Sequence, residues 1–304
     1  MRLGREGMSS NNVSVSVGIL SYMRTDLLLD TIKCLELSHG RVELIVLNNN
    51  EDFCIKNEIE QVLPKRVTLK YIWDKKNHGV SCGRRVLFEN CNNDIMILFD
   101  DDVYIDNFQK IYDDVVFSFS EDKSLGAIAF NIKEFKSLKH NRYEIPHKNK
   151  NVNMEENFKT YLIIGAGNAL RVNAVKDAGN FADDFGLYGF EEIDLAFRIL
   201  NSGYNIYYHC ENVVLHKKSP DGRFSGDLVN YLYFVNRTKI AKRHFKLHYF
   251  LACLFVRGGF FIFKTKNFKL LIQALMEIFG DKKKKLFNKR FYQYIKSVNG
   301  FIWY

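Results

Sequence analysis

The cysteines of this 304-residue chain (Cys34, Cys54, Cys82, Cys91, Cys210, Cys253) lie far apart, with no pair at zinc-ligand spacing. That excludes a metal-binding finger and favours reduced thiols in a cytoplasmic protein. Residues 1–12 are polar and lack the apolar core of a signal peptide, so they are expected to form a disordered lead-in. The glycine fingerprint Gly-x-Gly-x-x-Gly is missing after the first apolar run, which disfavours a dehydrogenase-like dinucleotide fold. The apolar stretch Leu247 to Phe263 is interrupted by Arg257 and two glycines, and falls short of the roughly 20 clean residues that span a bilayer. Acids are scarce at the C-terminal end. Residues 230–304 hold 16 Lys and Arg against 2 acids, an excess of 14, which leaves 28 against 33, or −5, in residues 1–229. The basic segment suits an anionic partner, and the acidic remainder must do something else.

What is present is a chain 47% apolar and 26% charged, able to bury a large core as one large domain or two small ones. Its most informative stretch is Asn93 to Val103, a short apolar run that ends in Asp100, Asp101 and Asp102. The run predicts a buried strand, and acids belong at the C-terminal mouth of such a strand, where open α/β sheets keep their ligands. Three adjacent carboxylates repel one another unless a cation sits among them, so this turn is read as a metal and phosphate site. A solvated acidic turn is the plainer alternative.

Around it the pattern alternates. Val13–Leu20, Arg41–Leu47 and Val67–Trp73 predict strands; Thr25–Leu37, capped by Thr25 or Asp26, Ile55–Val62 and a segment from Asn77 to about Asn90 predict helices. That order argues for a parallel sheet covered on both faces, joined by right-handed crossovers. Beyond the acids, Phe108–Phe119 predicts a helix and Leu125–Phe130 a strand. Lys133 to Lys159 lacks periodicity and is expected to be a long mobile loop, of the kind that serves as a lid. Tyr161–Ile164 predicts a strand leading into the small residues Gly165 to Asn168, where a backbone can approach a ligand. A further helix starts at Glu191, with Glu191, Glu192 and Asp194 in a first turn where the helix dipole favours anions.

From Val13 to Lys217 these pieces together resemble the family 2 glycosyltransferases of the GT-A fold, whose nucleotide-binding sheet is mostly parallel and Rossmann-like. The first strand with Ser21 to Arg24 is similar to the family's nucleotide side. Glu43 to Asn50 is similar to its second strand and base-contacting turn, and Asn77-x-Gly79 through Arg84 to the loop and helix start after the third strand. Asp100-x-Asp102 is similar to its metal-binding DxD motif. Gly165 to Asn168 and Glu191-Glu192-x-Asp194 resemble its acceptor-side turn and acidic motif, and Val213 to His216 the strand that ends in a histidine. Two positions depart from the pattern: Asn48 stands where the family has Asp, and Glu192 where it has Asp.

The resemblance implies transfer of a sugar from a nucleotide diphosphate sugar, UDP- or dTDP-linked, to a hydroxyl of a saccharide or lipid-linked saccharide acceptor. It implies Mn²⁺ or Mg²⁺ on Asp102, with Asp100 nearer the ribose or on the metal or its water, and His216 as a further ligand or a phosphate contact. The donor is expected against Ser21, Arg24, Asn48, Asn49, Asn77, Gly79, Arg84, Asp100, Asp101 and Gly167. Glu192 is the expected base, with Glu191 and Asp194 orienting acceptor hydroxyls, and direct attack would invert the anomeric configuration.

The expected division is a catalytic domain over 13–229 and a basic helical extension over 230–304. Tyr231 to His244 resembles the helix near the end of rhamnosyltransferase-like members. Leu247–Phe263, flanked by basic residues, fits a helix lying on an anionic membrane surface, which would make a cytoplasmic protein peripheral on its inner face; a buried hairpin or a homodimer contact fits as well. Bacterial surface glycan synthesis is the expected setting, and no nucleic acid partner is expected. Two rivals remain: a polyanion-binding scaffold that uses the basic tail, and a dehalogenase-like phosphatase, whose Asp-x-Asp normally lies nearer the start of the chain.

Overall fold

A computed structural model describes residues 13–149, 151–219 and 226–302. The lead-in expected over 1–12 lies outside the described residues. The first half alternates as its apolar runs require: β1 (Val15–Ser21), α1 (Thr25–Lys33), β2 (Val42–Asn48), α2 (Lys56–Val62), β3 (Val67–Ile72), α3 (Gly79–Glu89) and β4 (Ile95–Asp100). There follow β5 (Val103–Tyr104), α4 (Phe108–Glu121), β6 (Leu125–Glu134), β7 (Phe158–Thr160), β8 (Gly167–Arg171), α5 (Val172–Ala178), α6 (Glu191–Asn201) and β9 (Asn205–His216). Four helices close the described chain: α7 (Asp227–His244), α8 (Leu247–Thr265), α9 (Phe268–Gly280) and α10 (Lys289–Ser297).

One sheet runs β3-β2-β1-β4-β8-β6-β9-β5, with β7 added on β9. Strands β3, β2, β1 and β4 are parallel, as strands joined by helical crossovers must be. Beyond β4 the sheet becomes mixed: β8 is antiparallel to both β4 and β6, and β6 is parallel to β9. Leu20 lies beside Asp100 in the register, and Ser21 beside Asn48, so the ends of β1, β2 and β4 open at one edge. That edge is where β4 delivers its acids.

The two faces of the sheet carry separate apolar cores. Leu28 and Ile32 of α1, Ile59 of α2 and Phe108, Ile111 and Val115 of α4 cover one face. Leu87 and Phe88 of α3, Val175 of α5 and Leu195 and Phe197 of α6 cover the other, and Phe234, Ile240, Phe250, Ile278 and Phe291 of the C-terminal helices join this same core.

Three local expectations need correction. Helix α1 ends at Lys33 and carries no side-chain cap; Arg24 occupies the capping position. Tyr161–Ile164, buried over its first three residues, is not a strand, since β7 precedes it and β8 starts only at Gly167. A short apolar run reads alike for a strand and for any buried segment, and here the run fills the core without joining the ladder. The stretch 133–159 is tacked down over much of its length. Ile145 and Met154 pack with Tyr208 of β9, and His147 Nε2 lies 3.0 Å from the Val298 carbonyl oxygen.

Candidate active site

The acidic turn is held from beneath and from both sides. The Thr31 hydroxyl on α1 lies 2.8 Å from the Val103 carbonyl oxygen and 3.1 Å from that of Asp101, and Lys217 N–H donates to the Asp102 carbonyl at 2.9 Å. Asp101 and Asp102 are fully buried. Arg24, at the end of the β1 turn, pairs with both, its Nη2 at 2.9 Å from Asp101 Oδ1 and its Nη1 at 2.8 Å from Asp102 Oδ2. Asp102 also accepts from Ser219 N–H at 2.9 Å and lies 3.1 Å from His216 Nε2. Burial alone would raise its pKa, but His216, Arg24 and the Ser219 N–H hold the carboxyl below its ordinary value. Asp101 goes the other way. Burial first, then the neighbouring Asp102 and Asp100 charges, push it to about 7 against the pull of Arg24.

Ligand atoms of Asp100, Asp102 and His216 lie within 4.8 Å of one another. Two carboxylates and one imidazole form an oxygen-rich donor set that suits Mg²⁺ or Mn²⁺. The residues therefore fit a divalent cation.

His216 has a second partner that sequence reasoning missed. Glu144, in the stretch expected to be a mobile loop, is buried with Oε1 at 2.5 Å from His216 Nδ1 and Oε2 at 2.7 Å from Lys218 Nζ. Burial opposes the charge on His216, but the hydrogen bonds to Asp102 and Glu144 win and carry its pKa up to about 9. His216 thus carries protons on both ring nitrogens, Nε2–H facing Asp102; to hold a cation it would give up the Nε2 proton while Glu144 keeps Nδ1–H in place, the arrangement that orients ligating histidines. No periodicity or spacing marks Glu144, which reaches the site from 72 residues away.

The second acidic cluster meets the first through Arg84. This buried guanidinium on α3 donates from Nη2 to Asp100 at 3.1 Å and from Nη1 to Glu192 at 2.6 Å and Glu191 at 3.2 Å. Burial would lower the Arg84 pKa, but the three carboxylates raise it above its ordinary value. Arg84 is therefore no surface salt bridge: it ties the end of β4 to the start of α6. Gly165 packs against this tie. A Cβ there would meet Arg84 Nη2 at 2.6 Å and would also strike Glu192 Oε1, so only glycine lets the pair close.

Glu191 is fully buried, whereas the Glu192 side chain keeps 21% of its surface. Burial first and the Glu192 charge next push Glu191 up to about 8, with Arg84 opposing, so Glu191 retains its proton at neutral pH. Since its folded pKa lies above the unfolded value of 4.5, Glu191 contributes stability that is complete below about pH 4.5 and lost as pH rises toward 8. Glu191→Gln, which mimics the protonated acid, is expected to flatten this decline. Thermal melts from pH 5 to 8 should show the wild type losing stability relative to the variant, on the order of 3 kcal/mol across the range. Parallel curves would mean that Glu191 is ionised throughout.

Other expected residues fall in different places. Asn48 is buried and its hydrogen bonds are internal: Nδ2 donates to the Phe53 carbonyl and to Tyr71 Oη, both at 2.8 Å, and Oδ1 accepts from Asn50 N–H and Nδ2. It shapes the turn, and a carboxylate could not donate to the Phe53 carbonyl, which accounts for Asn at this position. Asn49 is likewise buried, with Oδ1 accepting from His78 N–H and Nδ2 donating to the Gly79 carbonyl, and Asn77 Oδ1 accepts from Gly79 N–H at the start of α3. Gly79 has φ +69°, and a Cβ there would meet Leu187 Cα at 2.8 Å, so this turn packs on the 186–187 backbone. Ser21 is buried beside Asp101 at the end of β1.

Two assignments are corrected. Gly167 faces the core, where a Cβ would meet Ile132, Phe130 and Val214, and the glycine packed against Arg84 and Glu192 is Gly165. Asp194 does not face an acceptor. It is buried with Oδ2 at 2.5 Å from Arg198 Nη2 and Oδ1 at 3.3 Å from His244 Nε2, behind the site. Burial opposes its charge, yet Arg198 and His244 hold its carboxyl well below the ordinary range. The i,i+4 spacing of Asp194 and Arg198 was the available signal for that pair.

A parallel nucleotide-side sheet that turns mixed after an Asp-x-Asp strand end, with a second acidic pair opposite, is the GT-A architecture of sugar-transferring enzymes. Residues 16–179, more than half of the chain, match the glycosyl transferase family 2 model, and the chain belongs to that family. An uncharacterized protein of Haemophilus influenzae (strain ATCC 51907 / DSM 11121 / KW20 / Rd) is 33% identical over 172 residues, 56% of this chain and 93% of that protein. Among solved structures, GalNAc-T7 with UDP, GalNAc and Mn²⁺ aligns at TM-score 0.62 and 12% identity, over 96% of this chain but only 57% of that one. The mannosyltransferase PcManGT from Pyrobaculum calidifontis, in complex with GDP-Man and Mn²⁺, aligns at 0.56 and 13% identity, over 90% of this chain and 77% of that one. S. aureus TarS 1-349 in complex with UDP-GlcNAc aligns at 0.59 and 13% identity, over 87% of this chain and 80% of that one. At these identities the likeness is one of fold.

Proposed function

We propose that this chain is a metal-dependent, inverting glycosyltransferase that moves a sugar from a nucleotide diphosphate sugar, UDP- or dTDP-linked, to a hydroxyl of a saccharide acceptor in surface glycan synthesis. The observation that carries this reading is the Asp100, Asp102 and His216 cluster at the mouth of β4, tied through Arg84 to Glu191 and Glu192. The similar folds crystallised with UDP or GDP-Man and Mn²⁺ support it.

Asp102, Asp100 and His216 would hold Mn²⁺ or Mg²⁺, which supplies Lewis-acid stabilisation of the departing diphosphate. Ser21 and Arg24 border the diphosphate side, and Arg84 adds positive charge between donor and acceptor. Glu192, the accessible member of its pair, takes the proton from the acceptor hydroxyl as that oxygen attacks the anomeric carbon from the side opposite the diphosphate. One displacement of this kind inverts the configuration. Glu191 is buried next to the base and sets its position through their shared Arg84.

Glu144 positions His216 in this scheme. Glu144→Ala is expected to weaken Mn²⁺ binding about 10- to 100-fold, and Glu144→Gln, whose amide oxygen still accepts from Nδ1–H, to weaken it less. Calorimetric titration of Mn²⁺ into the nucleotide-bound protein reads this directly. Equal affinity in all three proteins would remove Glu144 from the scheme. The proposal as a whole is tested by incubating the protein with UDP- and dTDP-sugars, Mn²⁺ and candidate saccharides, and reading the anomeric configuration of the product; a retained configuration would overturn the single displacement.

A further inference from the structure

We infer that the outer face of α8 and α9 docks on the surface of an anionic lipid bilayer. Both helices pack inward on α7, through Phe250, Cys253 and Phe261 of α8 and Ala274 and Ile278 of α9. Their opposite faces are turned away from α7, out of the protein. On that side Leu251, Phe255 and Phe263 stand at intervals of four and eight along α8, and Phe268, Ile272 and Met276 at intervals of four along α9. Phe255 is 73% exposed and Met276 71%, and the helical spacing sets these exposed residues in a stripe along each helix.

Charge selects the occupant. Lys264, Lys266 and Lys269 are exposed at the turn between the two helices, and Lys282, Lys284 and Lys285 just beyond α9. The only acids in 230–304 are both engaged from within: Glu277 by Lys239 at 2.6 Å and Tyr231 at 2.6 Å, and Asp281 by Arg243 at 2.6 Å. From the neighbouring loop Asp183 and Asp184 pair with Lys283, at 2.8 and 3.1 Å, which leaves Lys264, Lys266, Lys269, Lys282, Lys284 and Lys285 as an excess of positive charge along the rim. A second copy of the chain would set two cationic rims against each other. An anionic bilayer offers acyl chains to the apolar stripes and headgroups to the lysines.

The helix lies on the bilayer and does not cross it. By length and composition α8 could span, but it runs against α7, which carries Arg237, Lys239, Lys242 and Arg243. Asn236 of α7 in turn donates to the Phe185 carbonyl at 2.8 Å and the Gly189 carbonyl at 2.9 Å, in the loop that delivers Glu191 and Glu192. Immersing α8 would drag those cations and that loop into hydrocarbon. The same connection links the docked helices to the loop that carries the acceptor carboxylates, which suits a saccharide carried on lipid. That last step rests on the proposed transferase reading; the docking itself does not.

The test sediments the full-length protein with lipid vesicles of phosphatidylcholine alone or with about one-third phosphatidylglycerol. The protein should pellet with the anionic vesicles and stay in solution with the neutral ones. Phe255→Ser with Met276→Ser, both at exposed positions, should cut the partition at least about tenfold, as should replacing Lys264, Lys266 and Lys269 by Gln. Metal-dependent nucleotide binding without vesicles is measured on the same proteins; it controls for folding and reads the transferase proposal separately. Equal partition onto both vesicle types, or no effect of the substitutions, would overturn the docking. So would a dimer in sedimentation equilibrium that the Phe255 and Met276 changes dissociate, or binding that alkaline carbonate fails to release.

Discussion

Replacing Asp102 by Asn is expected to abolish metal-dependent binding of the nucleotide sugar and to lower kcat/KM by about three orders of magnitude or more, as the loss of a Lewis acid's ligand at the departing diphosphate requires. The side chain is fully buried and has three neighbours that need its charge: Arg24, His216 and the Ser219 N–H. Asn retains the volume and one acceptor oxygen, but it removes the negative charge and presents an amide nitrogen to a cation. The metal-free protein should also lose stability, about 3 kcal/mol, because Arg24 and His216 remain buried with a poorer counter-charge. Two readouts separate these effects. The melting temperature without ligand reports the lost ion pairs, and the further rise on adding Mn²⁺ with nucleotide reports the ligand role. A variant that melts early yet still gains the full metal-dependent rise would show Asp102 to be structural only.

Glu192→Gln should have the opposite profile: normal donor and metal binding, with transfer reduced about 10²- to 10⁴-fold. The amide oxygen can still accept the 2.6 Å hydrogen bond from Arg84, and it fits the space that Gly165 leaves, so the geometry survives. What disappears is the capacity to take a proton. Glu191→Gln provides the contrast. Burial keeps Glu191 protonated at neutral pH, and its amide isostere should leave the rate within about tenfold of wild type. If Glu191→Gln were the variant that stopped transfer while Glu192→Gln did not, the base would be the buried acid.

Much of this site was legible because sheet geometry converts sequence position into place. Where strands and helices alternate, an apolar run such as Ile95 to Phe99 reads as a buried strand, and the acids that end it then lie at the sheet's edge. The acids at the start of α6 were visible as the first turn of a helix and through the family resemblance. The links between these pieces were not visible. Arg84 reaches Glu191 and Glu192 across more than a hundred residues, and Glu144 reaches His216 from a stretch whose polar composition suggested motion. Pairing within a fold overrides composition in both cases. Asp194 was misread because Arg198, one turn on along the same face, and His244 on α7 hold it behind the site, while a first-turn acid reads as a dipole partner in any sequence. The choice between Gly165 and Gly167 turned on where β8 begins, since strand alternation gives two residues only two apart the same or a different environment according to whether both lie in the ladder. Asn48 departs from the family pattern for a local reason, its donation to the Phe53 carbonyl, which no one-dimensional pattern shows.

The most direct measurement is a thermal-shift titration of the purified protein with UDP, dTDP and GDP and their sugars, each with and without Mn²⁺. A ligand well above its dissociation constant stabilises by a few kcal/mol, which a melt resolves readily. The expected result is stabilisation by one nucleotide class, dependent on the metal and lost in Asp102→Asn. No response to any nucleotide with either Mn²⁺ or Mg²⁺, together with salt-sensitive binding of nucleic acid through the basic segment, would contradict the transferase reading and favour a polyanion-binding scaffold.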